Sequence, residues 1–460
     1  MRNFTDTEVA LIERFREEYD VPGIAVALVQ DRAIVAEGGF GHANLDSGNA
    51  PTAHTAWPIA SVTKSFTAVA AMQCVEDGLL DLDLPVRNYL PSLLVADEAA
   101  TAQLTIRRLL THTSGLGRTG HQDRTREEAV NPYPTREALV AALPSAVPQA
   151  PIGQCFSYSN ESYTIAGHVI ETVRGQSLED CFDSLIFTPL GMQHTVTRFC
   201  DWRSATDRAV LYAGANIGPY GSGNQHGNYQ VVELVTDYQT FLSTGGIAST
   251  AHDLALYQIA SMDYERSPLG LSAAALRHMQ SAQHLFGDSG FGYGLGYWVM
   301  PIGDSYAIGH SGGLPGVSTY SLMLPNEGVG VVVLTNRSDI KAMVLAERLA
   351  GAMRGELWRT DTQAPMPVQS AWAAPNAQDL EPFLGSYRFR RGPAAVKPGE
   401  TGVIIETPSR YDGPVVTLHT RRIARDRFAC LNDGHVIDFT RNAAGEVEAF
   451  LHSGYKYTRD

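Results

Sequence analysis

The spacing of apolar residues changes within the first forty positions of the chain. A recurrence every three or four residues predicts an amphipathic helix over residues 8–20. Beyond it, the apolar run 24–29 and the alternating run 34–40 predict two strands joined by a short turn. Strands joined by so short a turn pair antiparallel, so the chain is expected to begin an antiparallel sheet here.

Helical spacing then dominates the chain up to residue 240, and strand spacing returns after residue 300. A helix is predicted from Ser61 to a stop at Gly78, with further helices at 105–110, 136–143 and 163–173. Strands are predicted at 305–308, 317–324 and 329–334, before a last helix at 344–354. This order implies an α/β fold, in which an antiparallel sheet flanked by helices meets a separate helical lobe across a cleft.

The last part of the chain follows a different pattern. Prolines cluster between residues 360 and 377, and short alternating strands are then predicted at 402–406, 415–419, 436–439 and 447–451. We therefore expect a large α/β domain at 1–360, a linker at 361–378 and a small all-β barrel or sandwich at 379–460.

Composition narrows the classes of partner. Acidic residues outnumber basic ones, 49 against 35, and the net charge of −14 argues against a surface that binds nucleic acid. No stretch approaches the roughly 20 apolar residues that cross a bilayer, and the first residues lack the apolar core of a signal peptide. The five cysteines have no paired spacing, so free thiols and a cytoplasmic location are expected.

The segment Ser61-Val62-Thr63-Lys64 stands at the predicted start of a helix. Residues three apart share one face of a helix, so the hydroxyl of Ser61 and the amine of Lys64 can form a hydrogen bond. A serine hydroxyl is a weak nucleophile until a base removes its proton, and the positive end of a helix favours a neutral amine there. Taken alone, this spacing more often marks a helix cap beside a solvated lysine.

A second segment, Tyr158-Ser159-Asn160, precedes the helix predicted at 163–173. A phenol beside a lysine can relay protons between a nucleophile and a leaving group. The amide of Asn160 can position the lysine and donate to a substrate carbonyl. Taken alone, this triplet is also typical of a loop that caps a helix.

A third segment, His310-Ser311-Gly312-Gly313, stands at the end of a predicted strand. Small residues there let a substrate lie against the strand edge, and the N–H of Gly313 can form an oxyanion site together with the N–H of Ser61. His310 and Ser311 would then bind a substrate carboxylate or support Tyr158. Taken alone, the segment is also typical of a turn with a surface histidine.

The order and spacing of these three segments carry more information than any of them alone. S-x-x-K near residue 60, Y-x-N about 100 residues later and H-x-G about 150 residues after that resemble the penicillin-recognising serine hydrolases, whose best-known members are class C β-lactamases and D-alanyl-D-alanine peptidases. Four further segments of the sequence also resemble segments of this family, at 21–23, 109–116, 245–250 and 293–296. The resemblance covers about residues 8–355.

The resemblance implies a role for each residue. Ser61 attacks a carbonyl to form an acyl-enzyme, Lys64 and Tyr158 move protons, and Asn160 positions the substrate. The backbone of Ser61 and Gly313 supplies the oxyanion hole. No cofactor and no metal is implied, because side chains and backbone amides handle the protons and charge.

Two departures shape the expected substrate. His310 stands where true β-lactamases carry the lysine of K-T-G, so a fixed ammonium for a β-lactam carboxylate is missing and efficient β-lactamase activity is doubtful. The tail is similar to the lipocalin-like domain of D-peptide-specific peptidases and of stand-alone thioesterases that cyclise nonribosomal peptides. The resemblance therefore implies hydrolysis of amides or esters, of D-configured peptides or small esters.

Several alternatives stay open at this point. Transfer of the acyl group to an amine within the substrate would give a cyclic peptide, and a carrier protein would then deliver the substrate. A weak β-lactamase, a non-catalytic binding relative and a homo-oligomer are also open. Loops at 117–135 and 213–228 are expected to decide the acyl group and the acceptor, with the second forming a wall of the site.

Three other classes of protein are disfavoured by the sequence. Residues 309–313 satisfy G-x-S-x-G, the nucleophile elbow of α/β-hydrolases, but a strand is predicted soon after and the only later histidines are His419, His435 and His452, all in the tail. The histidines form no H-E-x-x-H motif, so no metal site is expected. The glycine-rich stretches 214–227 and 290–296 lack the features of a phosphate loop.

Overall fold

A computed structural model gives the architecture of most of the chain. It describes residues 1–95, 98–116, 135–143, 148, 152–214, 221–234, 240, 242–286, 291–302, 305–338, 340–355, 375–389, 392–407, 416–430, 436–452 and 455–460. Nearly all of the predicted loop at 117–135 and most of the predicted linker at 361–378 lie outside these residues.

Helices occur mainly between the first and last strands of the large sheet. In chain order they are α1 Asp6–Glu18, α2 Thr63–Glu76, α3 Glu98–Gln103, α4 Ile106–Leu110, α5 Arg136–Ala142, α6 Asn160–Arg174, α7 Leu178–Phe182, α8 Thr188–Leu190, α9 Phe199–Ser204, α10 Leu242–Gly245, α11 Ala251–Met262, α12 Ala273–Gln280, α13 Ala342–Arg354 and α14 Ala377–Leu380. Among the described residues, no helix has the length and apolar character needed to cross a bilayer.

The strands before the tail contribute to one large sheet and two small ones. They are β1 Gly23–Gln30, β2 Ala33–Gly41, β3 Trp57–Pro58, β4 Leu211–Gly214, β5 Gly221–His226, β6 Tyr229–Val232, β7 Ala248–Ser249, β8 His284–Leu285, β9 Gly292–Tyr293, β10 Trp298–Ile302, β11 Ser305–Leu314, β12 Val317–Leu324 and β13 Val329–Thr335. The large sheet is antiparallel, in the order β2-β1-β13-β12-β11-β10-β9-β8.

Strand β1 explains why the first apolar run of the chain is continuous. Successive side chains of a strand point to opposite faces, and both faces of β1 are covered. Ile24, Val26 and Leu28 pack with α1 and α13, whereas Ala25 and Ala27 face the core that contains α2 and α11. A strand buried on both sides has no polar face, which is why it reads as an unbroken hydrophobic stretch.

The tail folds into a closed barrel. Its strands are β14 Gly385–Phe389, β15 Gly392–Pro398, β16 Val403–Thr407, β17 Val416–Ala424, β18 Arg427–Cys430, β19 Val436–Arg441, β20 Val447–His452 and β21 Tyr455–Arg459. The pairing of β14 with β21 closes the ring, and closure removes the exposed strand edges that promote aggregation. Apolar side chains including Tyr387, Phe428 and Phe450 fill the interior.

The predicted α/β architecture and the all-β tail are confirmed, with local corrections. The predicted loop at 213–228 contains strand β5 and the end of β4, with residues 215–220 outside the described part. The third motif lies at the end of strand β11, as predicted, and this strand extends beyond the predicted bounds of 305–308 because the glycines continue the pairing with β12 to Leu314. In the tail, four strands (β14, β15, β18 and β21) were missing from the prediction.

The two-sided burial of β1 gives a stability prediction. Leu28 has no exposed surface, so Leu28→Ala should lower the free energy of unfolding by about 2–5 kcal/mol through lost burial and a residual cavity. The matched control is Leu84→Ala, because Leu84 is 43% exposed and should change stability by about 0.5 kcal/mol or less. Urea unfolding followed by tryptophan fluorescence tests this, since all five tryptophans precede the barrel. Equal losses for the two variants would contradict the assignment.

Candidate active site

Ser61 lies on a sharp turn that two neighbouring segments hold in place. Strand β3 pairs with β7, and the N–H of Ile59 donates to the carbonyl of Ile247 at 3.0 Å. The chain then forms a 3₁₀ turn over Ala60–Val62 and continues directly into α2. Ala60 has a φ of +48°, a left-handed conformation that costs energy for a non-glycine residue and that often occurs at functional sites. Ser61 is left half-buried, at the start of the helix.

Lys64 follows one turn later and has no exposed surface. Its Nζ donates to the carbonyl of Thr244 at 2.8 Å and lies 3.2 Å from Oγ of Ser61. Thr244 belongs to α10, whose Ser243 carbonyl accepts a bond from Thr67 of α2 at 2.7 Å. The carbonyl of Thr244 therefore orients the amine towards the hydroxyl of Ser61. The bond from Thr67 in turn holds α10 against α2, the helix that carries Lys64.

Tyr158 reaches the same place from a distant segment. Nζ of Lys64 lies 4.9 Å from the centroid of the Tyr158 ring, and Tyr158 is only 8% exposed. The next residue, Ser159, caps α6 by accepting a bond from the N–H of Ser162 at 3.1 Å. Asn160, the first residue of α6, is half-buried. The fold thus brings together Ser61, Lys64 and Tyr158, which the sequence predicted, and Asn160 lies at the start of the adjoining helix α6.

His112 holds the Tyr158 segment, a role that the sequence did not reveal. Its carbonyl accepts from the N–H of Ser157 at 2.7 Å, and its Nδ1 accepts from the N–H of Ser159 at 3.0 Å. The two rings of His112 and Tyr158 lie 4.2 Å apart. Since Nδ1 accepts a bond, the ring proton sits on Nε2. The sequence offered one indication of this role, because His112 lies within the segment 109–116 that resembles the family.

Strand β11 forms the other side of the site. Its pairing with β10 ends at Gly309, while its pairing with β12 continues to Leu314. A Cβ atom at Gly312 would lie 2.1 Å from the carbonyl oxygen of Ile59, so only glycine lets the strand approach the turn of Ser61 so closely. The next residue, Gly313, is exposed and lies opposite Ser318 in the pairing with β12.

His310 is buried in the protein and does not face solvent. It is 2% exposed, with Nδ1 2.7 Å from the carbonyl of Ser311 and Nε2 2.9 Å from the hydroxyl of Tyr293. A carbonyl only accepts, so Nδ1 carries the proton and the Tyr293 hydroxyl donates to Nε2. Burial, and secondarily the charge of Lys64, lower the pKa of His310 to about 3. The geometry favours support of the site over the alternative of carboxylate binding.

Aromatic side chains form a wall behind Tyr158. Each lies close to at least one other ring of the group, as for Phe156 and Trp298 at 5.3 Å between ring centroids and Phe291 and Trp298 at 5.9 Å. The sequence pattern did not predict a role in the site for these residues, although glycine alternates with aromatic residues at 290–296. The members of this aromatic wall are Phe156, Phe286, Phe291, Tyr293 and Trp298.

The barrel touches the segment that carries Tyr158. Nη2 of Arg427, in β18, lies 3.4 Å from the carbonyl of Gln154 and 4.0 Å from Sγ of Cys155. Arg427 also forms an ion pair with Asp438 of β19. Burial, and then the charge of Asp438, raise the pKa of the Cys155 thiol to about 11. At neutral pH this cysteine therefore stays a thiol and does not compete with Ser61 as a nucleophile.

The geometry also decides against the alternative nucleophile. Ser311 is exposed but lies inside an antiparallel strand, opposite Tyr320 of β12. A nucleophile elbow needs a strand-to-helix turn at the serine, whereas here the strand runs on to Leu314 before turning into β12. This arrangement does not fit an α/β-hydrolase.

Comparisons with known proteins agree with this arrangement. A profile of the family described as Beta-lactamase matches residues 9–352. Penicillin-binding protein 4 of Amycolatopsis lactamdurans is 28% identical over 402 residues, covering 83% of this chain and 97% of that protein. The structure of SurE with D-Leu aligns with a TM-score of 0.69 at 24% identity over 99% of both chains. The octameric penicillin-binding protein homologue from Pyrococcus abyssi aligns with a TM-score of 0.67 at 24% identity, over 99% of this chain and all of that one.

The neutral state of His310 gives a pH prediction. Because burial lowers the pKa of this ring to about 3, its NMR signals should not titrate between about pH 5 and pH 8, unlike those of an ordinary histidine. The unfolded chain takes up this proton near pH 6.5, so the contribution of His310 to stability is complete above that pH and is lost as pH falls towards the folded value.

His310→Asn provides the assignment control for these NMR signals. It should also lose less stability than the wild type when the pH is lowered from about 7 to about 4, as measured by urea midpoints. A His310 ring that titrates near pH 6.5 would contradict the inference.

Proposed function

Because the chain belongs to the Beta-lactamase family of serine hydrolases, we propose that it cleaves amide or ester bonds of D-configured peptides or small esters through an acyl-enzyme on Ser61. The observation that carries the proposal is the contact between Lys64 and Ser61, 3.2 Å from nitrogen to oxygen, beside the ring of Tyr158. A hydroxyl in contact with an amine, beside the ring of a phenol, supplies the components of an activated serine nucleophile.

In the proposed acylation, Lys64 takes the proton of Ser61 as Oγ attacks the substrate carbonyl. The negative charge that develops on the carbonyl oxygen is stabilised by the N–H groups of Ser61 and Gly313. Tyr158 and Lys64 pass the proton to the leaving amine or alcohol as its bond to the acyl carbon breaks. Water then attacks the acyl-enzyme by the reverse proton path and releases the acid.

Thr244 has a positioning role in this proposal. Its carbonyl accepts a bond from Nζ of Lys64 at 2.8 Å, which fixes where the amine points without occupying its approach to Ser61. A fixed geometry between base and nucleophile reduces the entropy lost in reaching the transition state. Asn160, at the start of α6, is proposed to orient the substrate carbonyl.

The surroundings of the site support an apolar acyl group in preference to an anionic one. His310 is neutral, so the β11 side of the site lacks the fixed ammonium that would hold a β-lactam carboxylate. Close to Tyr158, the aromatic wall is buried, so that side of the site is apolar, which disfavours an anionic acyl group there. A D-configured substrate follows from the resemblance and is consistent with the D-Leu bound to SurE. Efficient β-lactamase activity is not expected.

A second candidate is transfer of the acyl group to an amine of the same substrate, which would give a cyclic peptide. The observation that favours it is the contact of Arg427 in the barrel with the segment before Tyr158. A domain that touches the site can shape the space in which a long substrate folds back. A carrier protein would be the partner that delivers such a substrate.

Two properties of the whole molecule belong to the proposal. A homo-oligomer is proposed because the homologue from Pyrococcus abyssi is octameric, and size-exclusion chromatography with light scattering tests it. A cytoplasmic location is proposed because none of the five cysteines forms a disulfide, as expected in a reducing compartment.

Loss of the nucleophile is the first functional prediction. Ser61→Ala should lower kcat/KM on a nitrophenyl ester by at least about 10³-fold and abolish the adduct that a fluorophosphonate forms on the wild type. Ser184→Ala removes an exposed hydroxyl and should leave activity unchanged. A variant Ser61→Ala that keeps turnover while Ser311→Ala loses it would reject the assignment. A wild type that forms no adduct and hydrolyses nothing would indicate a binding protein.

The choice of substrate is the second functional prediction. In a panel of D- and L-aminoacyl amides, nitrophenyl esters, a cephalosporin and a D-terminated peptidyl thioester, D-amides or small esters with apolar acyl groups should be preferred. The expected ratio of kcat/KM between D and L forms is about 10- to 200-fold, the range that pocket shape supplies. Mass spectrometry separates the acceptors, because hydrolysis adds the mass of water whereas cyclisation does not. Preference for the L forms or for the cephalosporin would contradict the proposed substrate class.

A further inference from the structure

A cluster of imidazoles and one carboxylate lies apart from the contacts described around Ser61. Glu37 comes from β2, His54 from the segment before β3, and His252 from the start of α11. One ligand atom from each of the three lies within 4.8 Å of the other two. The ring of His194 lies beside them, 5.6 Å from that of His54 between centroids. The chemistry proposed at Ser61 uses none of these residues.

Glu37 and His252 form the buried part of the cluster. Oε2 of Glu37 lies 2.8 Å from Nδ1 of His252, and the side chains are 8% and 29% exposed. A carboxylate so far removed from water needs a cation or several donors to compensate the lost hydration. His54 is exposed and its ring lies 4.7 Å from that of His252, so its side chain can rotate towards the other two without disturbing the core.

The backbone that carries these residues is held firmly. The N–H of His252 donates to the carbonyl of Ala53 at 3.1 Å, which ties the start of α11 to the neighbour of His54. The N–H of His194 donates to Asp253, a buried carboxylate that also accepts from Thr195. The positions of the imidazoles are therefore set by the fold.

We propose that Glu37, His54 and His252 bind a divalent transition-metal ion of the zinc type, with His194 available as a fourth ligand. Imidazole nitrogens and a carboxylate oxygen are a ligand set that Zn²⁺ prefers, at about 2.0–2.2 Å from the ion, so neighbouring ligand atoms lie about 3.3 Å apart. The observed spacing reaches this value after rotation of His54 and a small opening of the Glu37–His252 contact. The ion would replace the proton that these two residues share.

The location gives the ion a structural role. It would join β2, the segment that leads into β3, and the start of α11. Strand β3 leads directly into the turn of Ser61. Binding to the folded chain alone would raise the unfolding temperature by mass action. The ion would take no part in the reaction, so chelation should leave hydrolysis within about twofold of its original rate.

Titration of the chelator-treated full-length protein tests the proposal. Isothermal titration with Zn²⁺ should show one site per chain, and Mg²⁺ should not occupy it, because Mg²⁺ prefers oxygen ligands and octahedral geometry. Zn²⁺ should also raise the unfolding temperature of the wild type. His54→Ala, chosen because the residue is exposed, and Glu37→Gln should each weaken binding by at least about tenfold and remove the thermal shift.

The matched control is His42→Ala, which removes an exposed histidine that follows the same strand as Glu37 and should bind Zn²⁺ like the wild type. Circular dichroism confirms that each variant is folded. A wild type that binds no Zn²⁺, or variants His54→Ala and Glu37→Gln that bind it as tightly as the wild type, would overturn the proposal.

Discussion

The hydrogen bond from buried Lys64 to the carbonyl of Thr244 is the interaction on which the candidate site depends. A lysine without exposed surface must satisfy its donors inside the protein, and here α10 provides the acceptor. That requirement fixes α10 against α2, and the segment after α10 in turn pairs with the strand leading to Ser61. The packing of these segments and the orientation of the Lys64 amine therefore depend on the same hydrogen bond.

Much of the architecture could be predicted because the buried positions of helices and strands determine the spacing of apolar residues along the sequence. Strand β1 was visible as an unbroken apolar run, and Ser61 with Lys64 was visible because three-residue spacing places two side chains on one helix face. Barrel strands such as β15 and β18 were missed because Gly392–Pro398 and Arg427–Cys430 show no alternation of polar and apolar residues. The 3₁₀ turn of Ser61 was missed because a left-handed conformation at Ala60 is imposed by the segments around it.

The two buried histidines beside the site show the limit of motif reasoning. His310 was recognised by its place in a motif, but a motif does not reveal that its nitrogens bond to Ser311 and Tyr293 and leave it neutral. His112 was not singled out, although it lies within the segment 109–116 that resembles the family. Its function is carried by a carbonyl and an Nδ1 atom that accept from the segment of Tyr158, and such contacts between remote segments depend on the tertiary structure.

The contact between Arg427 and the segment before Tyr158 makes the two parts of the molecule mutually dependent. A barrel taken from another protein and joined to this α/β domain would bring a different side chain to Gln154 and Cys155, and would shift the loop from which Tyr158 projects. In a chimera between relatives, the junction between the two parts would therefore change a contact beside the candidate site.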